Sequence, residues 1–341
     1  MRVVSASASE LGESPVWDPT SAALLWVDIA GRKLHCLHVA SGEQRDWPLP
    51  EEPGCIGLVA DDALAAERQP ASGDGPAPAG RPMSPASRPA DGTPAPVWPR
   101  SVVMALRSGF HRFHLDGARL ERLSAPLFDP SCYRFNDGTV DPRGRFWAGT
   151  LYEPKGEASA GLYCLARGRA RAVTGPGVLV PPWRDWGVTT SNGLAVSPDG
   201  RVLYQSDTPA HVVYAHDYDL GDGSISNRRI WWQADADRQA SDYGGRPDGA
   251  AIDRDGCYWS AQYEGGRVLQ LSPDGRIVRV LSLPVRCPTM VAFGGPDLRT
   301  LFITSAREGR PAAELRARPL SGHVLALEVE AQGLPASRYR P

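Results

Sequence analysis

The stretch that decides the fold of this chain is NDGTVDPRGRFWAGT, at residues 136–150. It contains a polar residue, a short apolar strand, a turn at Asp141-Pro-Arg-Gly and a second strand that carries Trp147. Three further stretches have the same form, and they read ESPVWDPTSAALLWVD from residue 13, NGLAVSPDGRVLYQSD from residue 192 and DGAAIDRDGCYWSAQY from residue 248. Asp, Ser, Pro and Gly at the turn positions favour β-turns, so each stretch predicts a β-hairpin.

Two weaker copies extend the repeat, IGLVADDALAA from residue 56 and TMVAFGGPDLRTLFITS from residue 289. The six copies start at residues 13, 56, 136, 192, 248 and 289, so the spacings are 43, 80, 56, 56 and 41 residues. Four of these spacings fit a blade of four strands. The sequence therefore predicts an all-β chain, a six-bladed β-propeller that forms a single domain over residues 1–341. The strand HVLALEVE from residue 323 is expected to pair with RVVSAS from residue 2 and close the ring.

The spacing of 80 residues contains a low-complexity segment, residues 67–100, which is rich in Pro, Ala, Gly and Ser. Such a composition cannot bury enough apolar surface to offset the entropy lost on ordering. We expect a disordered loop inserted into the second hairpin, with the strand resuming at Ser101. A linker between two domains is the alternative, but the same repeat continues on both sides of the segment.

Composition excludes several classes of function. The net charge of −2 gives no basic surface for nucleic acid, and no run of about 18 apolar residues is present to span a membrane. The first residues lack the apolar core of a secretory signal. Six scattered cysteines without C-x-x-C pairs are expected to be reduced, which favours a cytoplasmic protein. The sequence leaves the oligomeric state open.

One register position of the repeat carries mostly oxygen-bearing side chains. This position, expected just before each innermost strand at one mouth of the channel, holds Glu13, Ile56, Asn136, Asn192, Asp248 and Thr289. Equivalent positions in a propeller form a ring around its axis. Carboxylate and amide oxygens suit a hard divalent cation. The alternative is that Asn and Asp before Gly merely form turns, which does not account for the glutamate.

Other catalytic signatures are missing, since the chain has neither a G-x-S-x-G nucleophile elbow nor an H-E-x-x-H pair. Arg134 stands two residues before Asn136. It is expected beside the cation, where a guanidinium could bind a substrate hydroxyl or carbonyl.

Several segments together resemble the regucalcin, or senescence-marker-protein, family, which includes gluconolactonases and luciferin-regenerating enzymes. The matching segments are LGESPVWDP at 11–19, YRFNDGTVDPRGRFWAGT at 133–150, SNGLAVSPDGRVLYQSD at 191–207, RPDGAAIDRDG at 246–256 and PTMVAFGGPDLRTLFITSA at 288–306. The resemblance implies a six-bladed propeller with a divalent metal in its channel. The long segment at 67–100 departs from the family's pattern.

The resemblance also implies roles for individual residues. Glu13, Asn192 and Asp248 match the family's metal ligands, and Asp248 is similar to the residue proposed as acid and base. Arg134 and Asn136 match its substrate-contacting pair. Family members often carry a carboxylate just after G-T-M. Here the segment reads GTLYEPK from residue 149, so Glu153 is the candidate for that substrate contact.

The implied activity is a hydrolase that opens a sugar lactone, converting an aldonolactone into an aldonic acid. Its cofactor is expected to be one divalent cation, Ca²⁺, Zn²⁺, Mn²⁺ or Mg²⁺, and its partner a small sugar lactone. Hydrolysis of another ester or a phosphotriester on the same scaffold is one alternative. A calcium-binding regulatory propeller without enzymatic activity is the other, since fold alone does not decide function.

Overall fold

A computed structural model describes residues 1–60, 96–175 and 186–341. Its strands form six sheets, each with four strands paired antiparallel, and one of these sheets has a fifth strand. The innermost strands of neighbouring sheets pack against each other in a closed cycle. This arrangement confirms the predicted six-bladed β-propeller.

In blades 1 to 5 the strands follow one another in chain order from the innermost strand outward, and in blade 6 the N-terminal strand is the outermost. Blade 1 comprises β2 (Gly12–Asp18), β3 (Ala23–Asp28), β4 (Lys33–His38) and β5 (Glu43–Pro48). Blade 2 comprises β6 (Pro53–Val59), β7 (Ser101–Leu106), β8 (Gly109–His114) and β9 (Arg119–Arg122). Blade 3 comprises β10 (Tyr133–Val140), β11 (Phe146–Tyr152), β12 (Leu162–Ala166) and β13 (Arg169–Ala172).

The second half of the chain repeats this order. Blade 4 comprises β14 (Ser191–Val196), β15 (Val202–Asp207), β16 (Val212–Asp219) and β17 (Ser224–Gln233). Blade 5 comprises β18 (Arg246–Ile252), β19 (Tyr258–Tyr263), β20 (Arg267–Leu271) and β21 (Ile277–Ser282). Blade 6 comprises β22 (Pro288–Gly294), β23 (Thr300–Ser305), β24 (Leu325–Glu328) and β1 (Arg2–Val3). The pairing of β1 with β24 closes the ring as predicted. A short helix, α1 (Ala312–Ala317), connects β23 to β24.

The turn residues that define the repeat hold the hairpins together through their side chains. Asp253 accepts hydrogen bonds from the backbone N–H groups of Asp255 and Cys257 and from the indole N–H of Trp259, at 3.0, 2.9 and 2.8 Å. Asp141 similarly accepts from Arg143 and Arg145 of its own turn. Asp side chains favour such turns because they bond to backbone two residues ahead.

The aromatic residues of the second strands form the packing between blades. Trp26, Trp147 and Trp259 have no exposed surface, and they lie in separate apolar clusters. A fully buried aromatic side chain contributes several kcal/mol through removal of apolar area from water. The repeated aromatic therefore stabilises the contact between neighbouring sheets in each of these three clusters.

Every innermost strand has an irregularity in its pairing near the ring position of the repeat. The register shifts between Glu13 and Val16 in β2, and between Asn192 and Ala195 in β14. The shifts in β10, β18 and β22 also enclose the ring residue. In β6 the shift lies between Pro53 and Cys55, before Ile56, so Ile56 does not occupy the equivalent position that the sequence analysis gave it. A β-bulge bends a strand and changes the direction of its side chains. Ser14 and Gly193 have φ values of 49° and 58°, which such a bend requires.

The C-terminal segment adds an element that the repeat does not predict. Gly333 bridges to Asp253 in blade 5, and β25 (Arg338–Tyr339) then pairs in parallel with the inner edge of β6. Arg338 also donates a hydrogen bond of 2.6 Å to Asp18 in the first turn of blade 1. The segment therefore lies at the end of the channel that carries the turns between the first and second strands of the blades.

The low-complexity segment lies between β6 and β7, which places it in the second hairpin as predicted. Most of the interval expected to be disordered, residues 67–95, lies outside the described residues. Residues 96–100 are described, and Trp98 among them packs against the core of blades 1 and 2. The Arg45 guanidinium lies 4.2 Å from its ring centroid. The packed structure of blade 2 therefore resumes at Trp98, three residues before β7.

All six cysteines lie in the described residues and are free thiols, four of them buried, as expected. In the part of the chain that the structure describes, no helix is long and apolar enough to cross a membrane.

Candidate functional site

The four polar ring residues lie together at one end of the channel. Glu13, Asn136, Asn192 and Asp248 belong to β2, β10, β14 and β18, and their exposed fractions are between 3% and 7%. The sequence analysis expected them just before the innermost strands, but they lie one to three residues inside, beside the bulges. The bulge explains how residues within a strand can face the channel.

Hydrogen bonds connect three of these side chains in a row. The amide nitrogen of Asn136 donates to Oδ1 of Asn192 at 2.5 Å. The amide nitrogen of Asn192 donates in turn to Oδ1 of Asp248 and to the hydroxyl of Thr208. Thr208 Oγ1 lies 3.1 Å from the same oxygen of Asp248. Asn136, Asn192 and Asp248 therefore converge on one small volume.

Glu13 completes the site from blade 1. Burial raises the pKa of Glu13 well above its usual value, and the nearby carboxyls of Asp248 and Asp137 raise it further. Burial also raises the pKa of Asp248 to about 7, against the effects of Thr208, Arg246 and Asn192. Asp248 disfavours the ionised form of Glu13, so the two carboxyls ionise together readily only when a cation compensates their charge.

Asp137 is a third buried carboxyl at the site, and the sequence analysis gave it no role. Its two oxygens accept hydrogen bonds from the backbone N–H groups of Gly138 at 2.7 Å and Leu194 at 2.8 Å. Burial raises its pKa to about 7. The bond to Leu194 fixes the backbone just after Asn192, so Asp137 positions the bulge of blade 4 from blade 3. Its place in the N-D-G motif was the signal available in the sequence.

Thr208 is the other residue that sequence reasoning missed. Besides its contacts with Asn192 and Asp248, its hydroxyl lies 2.9 Å from the carbonyl oxygen of Pro247. It follows β15 directly, at a position with no distinctive counterpart in the other repeats. No pattern in the sequence singled it out.

Arg134 extends the row at its blade 3 end. Its Nη1 donates to Oδ1 of Asn136 at 2.8 Å and to the carbonyl oxygen of Phe135 at 3.0 Å. Its charge also lowers the pKa of Glu13. Arg134 therefore lies beside the carboxylates, where the sequence analysis expected it.

Glu153 lies near Arg134, but a different arginine holds it. Arg107 binds Glu153 through two hydrogen bonds, at 2.6 and 3.0 Å, and binds Glu52 through Nε at 3.0 Å. Glu153 nevertheless acts electrostatically on Arg134. The structure thus places Glu153 at the mouth, in a bidentate ion pair with Arg107, a residue that the sequence analysis did not consider.

The donor set suits a divalent cation with a preference for oxygen. Two buried carboxylates, Glu13 and Asp248, can balance a charge of +2, and the amide oxygen of Asn192 lies in the same row. Within residues 1–60, 96–175 and 186–341, no three His, Cys, Asp or Glu side chains form a metal-binding group. A cation here would depend on amide as well as carboxylate oxygens.

The channel continues beyond the site as a mainly apolar cavity of about 200 Å³. Side chains of the innermost strands line it, including Val16, Val140, Val196 and Ile252, together with residues 334–337 of the C-terminal segment. The polar site and the C-terminal segment therefore lie at opposite ends of the channel.

Comparison with known proteins gives the relatives of this chain. It is 41% identical over 334 residues to a 6-deoxy-6-sulfogluconolactonase of Pseudomonas putida, covering 98% of this chain and 96% of the relative. It is 32% identical over 335 residues to the regucalcin of Oryctolagus cuniculus, covering 96% and 94%.

Two solved structures show the same fold. A calcium-binding regucalcin from Agrobacterium tumefaciens aligns with a TM-score of 0.81 and 23% identity, covering 100% of this chain and 97% of that one. A gluconolactonase from Xanthomonas campestris aligns with a TM-score of 0.64 and 18% identity, covering 96% and 88%. The model of the SMP-30/gluconolactonase/LRE-like region matches residues 11–72 and 83–307. With its six blades, its ring of buried oxygen donors and this match over most of its length, the chain belongs to the SMP-30/gluconolactonase/LRE-like family.

Proposed function

We propose that this protein is a lactonase that uses one divalent cation to open a six-carbon aldonolactone to the aldonic acid. The observation that carries the proposal is the buried row Asn136–Asn192–Asp248, with Arg134 at one end. A site that only stored a cation would have no need of a guanidinium directed along its ligands. The resemblance to a sulfogluconolactonase at 41% identity supports the same reaction class.

Glu13, Asn192 and Asp248 are the residues that would hold the cation. When bound, a divalent cation supplies Lewis acidity, which polarises the lactone carbonyl and stabilises the charge that develops on its oxygen. The ligands are two carboxylates and one amide oxygen. This set of oxygen donors does not distinguish between calcium, zinc, manganese and magnesium.

The remaining steps use side chains of this chain. Asp248 accepts a proton from the water that attacks the carbonyl carbon, and it returns that proton to the ring oxygen as the C–O bond breaks. Burial raises its pKa to about 7 in the cation-free protein, and a bound cation favours the ionised form that accepts the proton. Arg134 donates a hydrogen bond to the sugar and orients its carbonyl toward Asp248. The amide N–H groups of Asn136 already donate to Asn192 and to the carbonyl oxygen of Ser191, so Asn136 offers its amide oxygen to a sugar hydroxyl. Thr208 and Asn192 hold the Asp248 carboxylate in place.

The substrate is inferred from the relatives as well as from the site. The Pseudomonas putida relative is named for a lactone with a sulfonate at carbon 6. We extend the same class to this chain, so that glucono-1,5-lactone and its derivatives at carbon 6 are the substrates to test first.

A panel of lactones, followed by acid release at constant pH, tests this function. Hydrolysis of an aldonolactone should disappear when the protein is treated with a chelator and return when Ca²⁺, Zn²⁺, Mn²⁺ or Mg²⁺ is added back. Turnover of simple esters or phosphotriesters but not lactones would favour another hydrolase on this scaffold. Cation binding by calorimetry without turnover of any of these compounds would favour a calcium-binding regulatory role.

A further inference from the structure

A cluster of arginines lies beside the row on the side opposite Arg134. Arg246 belongs to β18 and stands two residues before Asp248, as Arg134 stands two residues before Asn136. Arg134 and Arg246 therefore occupy equivalent positions in blades 3 and 5, with blade 4 between them. Arg246 is close enough to Asp248 to lower the pKa of that carboxyl.

The arginines of this cluster share their carboxylate partners. Arg238, Arg246 and Arg310 all bind the same carboxylate, Glu264, at 2.7, 3.0 and 3.0 Å. Arg310 also binds Glu314 at 2.6 Å. Three guanidinium groups thus share the two carboxylates of Glu264 and Glu314.

Arg246 is the member that is both largely buried and incompletely bonded. Its side chain is 16% exposed, and its guanidinium lies 5.2 Å from the ring centroid of Tyr263. A guanidinium has five N–H donors. Nη2 donates to Glu264, while the buried Nε has no hydrogen-bond partner in the part of the chain that the structure describes. A buried cation with unused donors is costly unless an anion compensates it.

His211 and Tyr243 border the same cluster. The imidazole Nε2 lies 2.9 Å from the Tyr243 hydroxyl, and burial, with smaller contributions from the charges of Arg246 and Arg238, lowers the pKa of His211. Nδ1 of His211 lies 3.1 Å from the carbonyl oxygen of Pro209, so both imidazole nitrogens are already hydrogen-bonded. The arginines of the cluster therefore lie near a hydrogen-bonded pair, His211 and Tyr243.

We propose that Arg246, supported by Arg238 and Arg310, forms a subsite for a negatively charged group at the far end of the sugar lactone. This rests on the proposed function, because it assumes that the lactone carbonyl lies at Asp248. Arg134 and Asn136 bind hydroxyls on the blade 3 side, so the terminal carbon of the sugar extends toward blade 5. Sulfonate, phosphate and carboxylate share the oxygen geometry that a guanidinium binds.

The test compares lactones that differ only at carbon 6. We measure kcat/KM for glucono-1,5-lactone, its 6-deoxy-6-sulfo analogue and its 6-phospho analogue, with wild-type protein and with Arg246→Gln. The ratio of charged to neutral substrate should fall about 10- to 100-fold in R246Q, the loss typical of one charge-assisted contact. Arg246→Lys keeps the positive charge but loses the planar guanidinium, which can donate two hydrogen bonds at once. Its preference for the charged substrate should therefore lie between those of wild type and R246Q.

Arg276→Gln is the matched control for net charge. Arg276 pairs with Asp274 in the turn after β20, and its side chain is 83% exposed. The substitution removes one positive charge outside the cluster, so the substrate ratio should stay at the wild-type value. Thermal unfolding of all three variants shows whether each is folded.

Calorimetry with the products separates this proposal from the proposed function. Wild-type protein should bind 6-deoxy-6-sulfogluconate, 6-phosphogluconate or glucarate more tightly than gluconate, and R246Q should lose that preference. Failure to hydrolyse any lactone, with the binding preference intact, overturns the proposed function and leaves the subsite. Equal binding of gluconate and of all three products that carry a second anionic group, or an unchanged ratio in R246Q, overturns the subsite.

Discussion

Replacing Asp248 with Asn should make the cation-free protein more stable at pH 8 while removing most of its activity. Burial raises the pKa of this carboxyl to about 7 from an ordinary value of 3.8. Each pKa unit corresponds to about 1.4 kcal/mol, so the ionised carboxylate costs the cation-free fold on the order of 4 kcal/mol. Asn keeps the shape and the hydrogen-bonding oxygen but never carries the charge.

The sign of the pH dependence follows from the direction of the shift. The folded protein holds the Asp248 proton more tightly than the unfolded chain does, so stability falls as the pH rises from about 4 to about 7. Above that window the cost of ionisation is constant. The advantage of D248N should therefore be largest at pH 8 and less than half as large at pH 5.

Urea unfolding of chelator-treated protein at pH 5 and pH 8 measures both effects. At pH 8 the free energy of unfolding of D248N should exceed that of the wild type by about 2–4 kcal/mol. Neighbouring carboxyls reduce the gain, because they ionise more readily once the charge of Asp248 is removed. Its kcat should fall by about 10²–10⁴, as is typical when a general base is lost. Asn192→Asp, which adds a carboxyl to the same row, is the opposite control and should destabilise at pH 8. A D248N protein that is less stable than wild type at pH 8 would refute this account of the site.

Three further changes test other parts of the structure. Glu13→Gln removes one of the two carboxylates that would hold the cation, so cation affinity by calorimetry should fall at least tenfold, and an unchanged affinity would remove Glu13 from the ligand set. In the wild type, added cation should raise the melting temperature more at pH 8 than at pH 5, because Glu13 and Asp248 must ionise to bind it; equal shifts at both pH values would contradict their role as ligands. Trp98→Ala should lower the free energy of unfolding by about 1–3 kcal/mol in urea, because the indole packs on the core, whereas no change would show that the packed structure resumes only at Ser101.

The repeat made the architecture predictable because each hairpin carries its own local signals. Turn residues such as Asp141 and Asp253 bond to their own backbone, and the aromatic that follows packs between blades. These are short-range effects, so they leave a pattern in the sequence at every copy. The register of that pattern also brought Asn136, Asn192 and Asp248 into one row without any knowledge of the structure.

Residues outside the register could not be found in this way. Arg107 comes from the turn between β7 and β8, yet it contacts Glu153 of blade 3. Thr208 follows β15 and meets Asp248 across a blade boundary. Both contacts depend on how neighbouring sheets are rotated about the axis, and a single blade does not encode that rotation. The C-terminal β25 escaped prediction because it adds a parallel strand to a sheet that was already complete.

The two ends of the channel differ in a way that determines how a substrate can enter. At one end the buried carboxyls of Glu13 and Asp248 are flanked by Arg134 and Arg246, so the field alternates in sign over a short distance. At the other end the lining is apolar, and residues 334–337 lie against it. A lactone with many hydroxyls loses hydrogen bonds with water when it enters an apolar passage and regains none. Productive binding should therefore occur from the arginine-lined mouth, where each hydroxyl or anionic group that leaves water meets a donor. Selection among sugars then depends on Arg134 of blade 3 and Arg246 of blade 5, because these two arginines flank the carboxyls that face the reacting carbonyl.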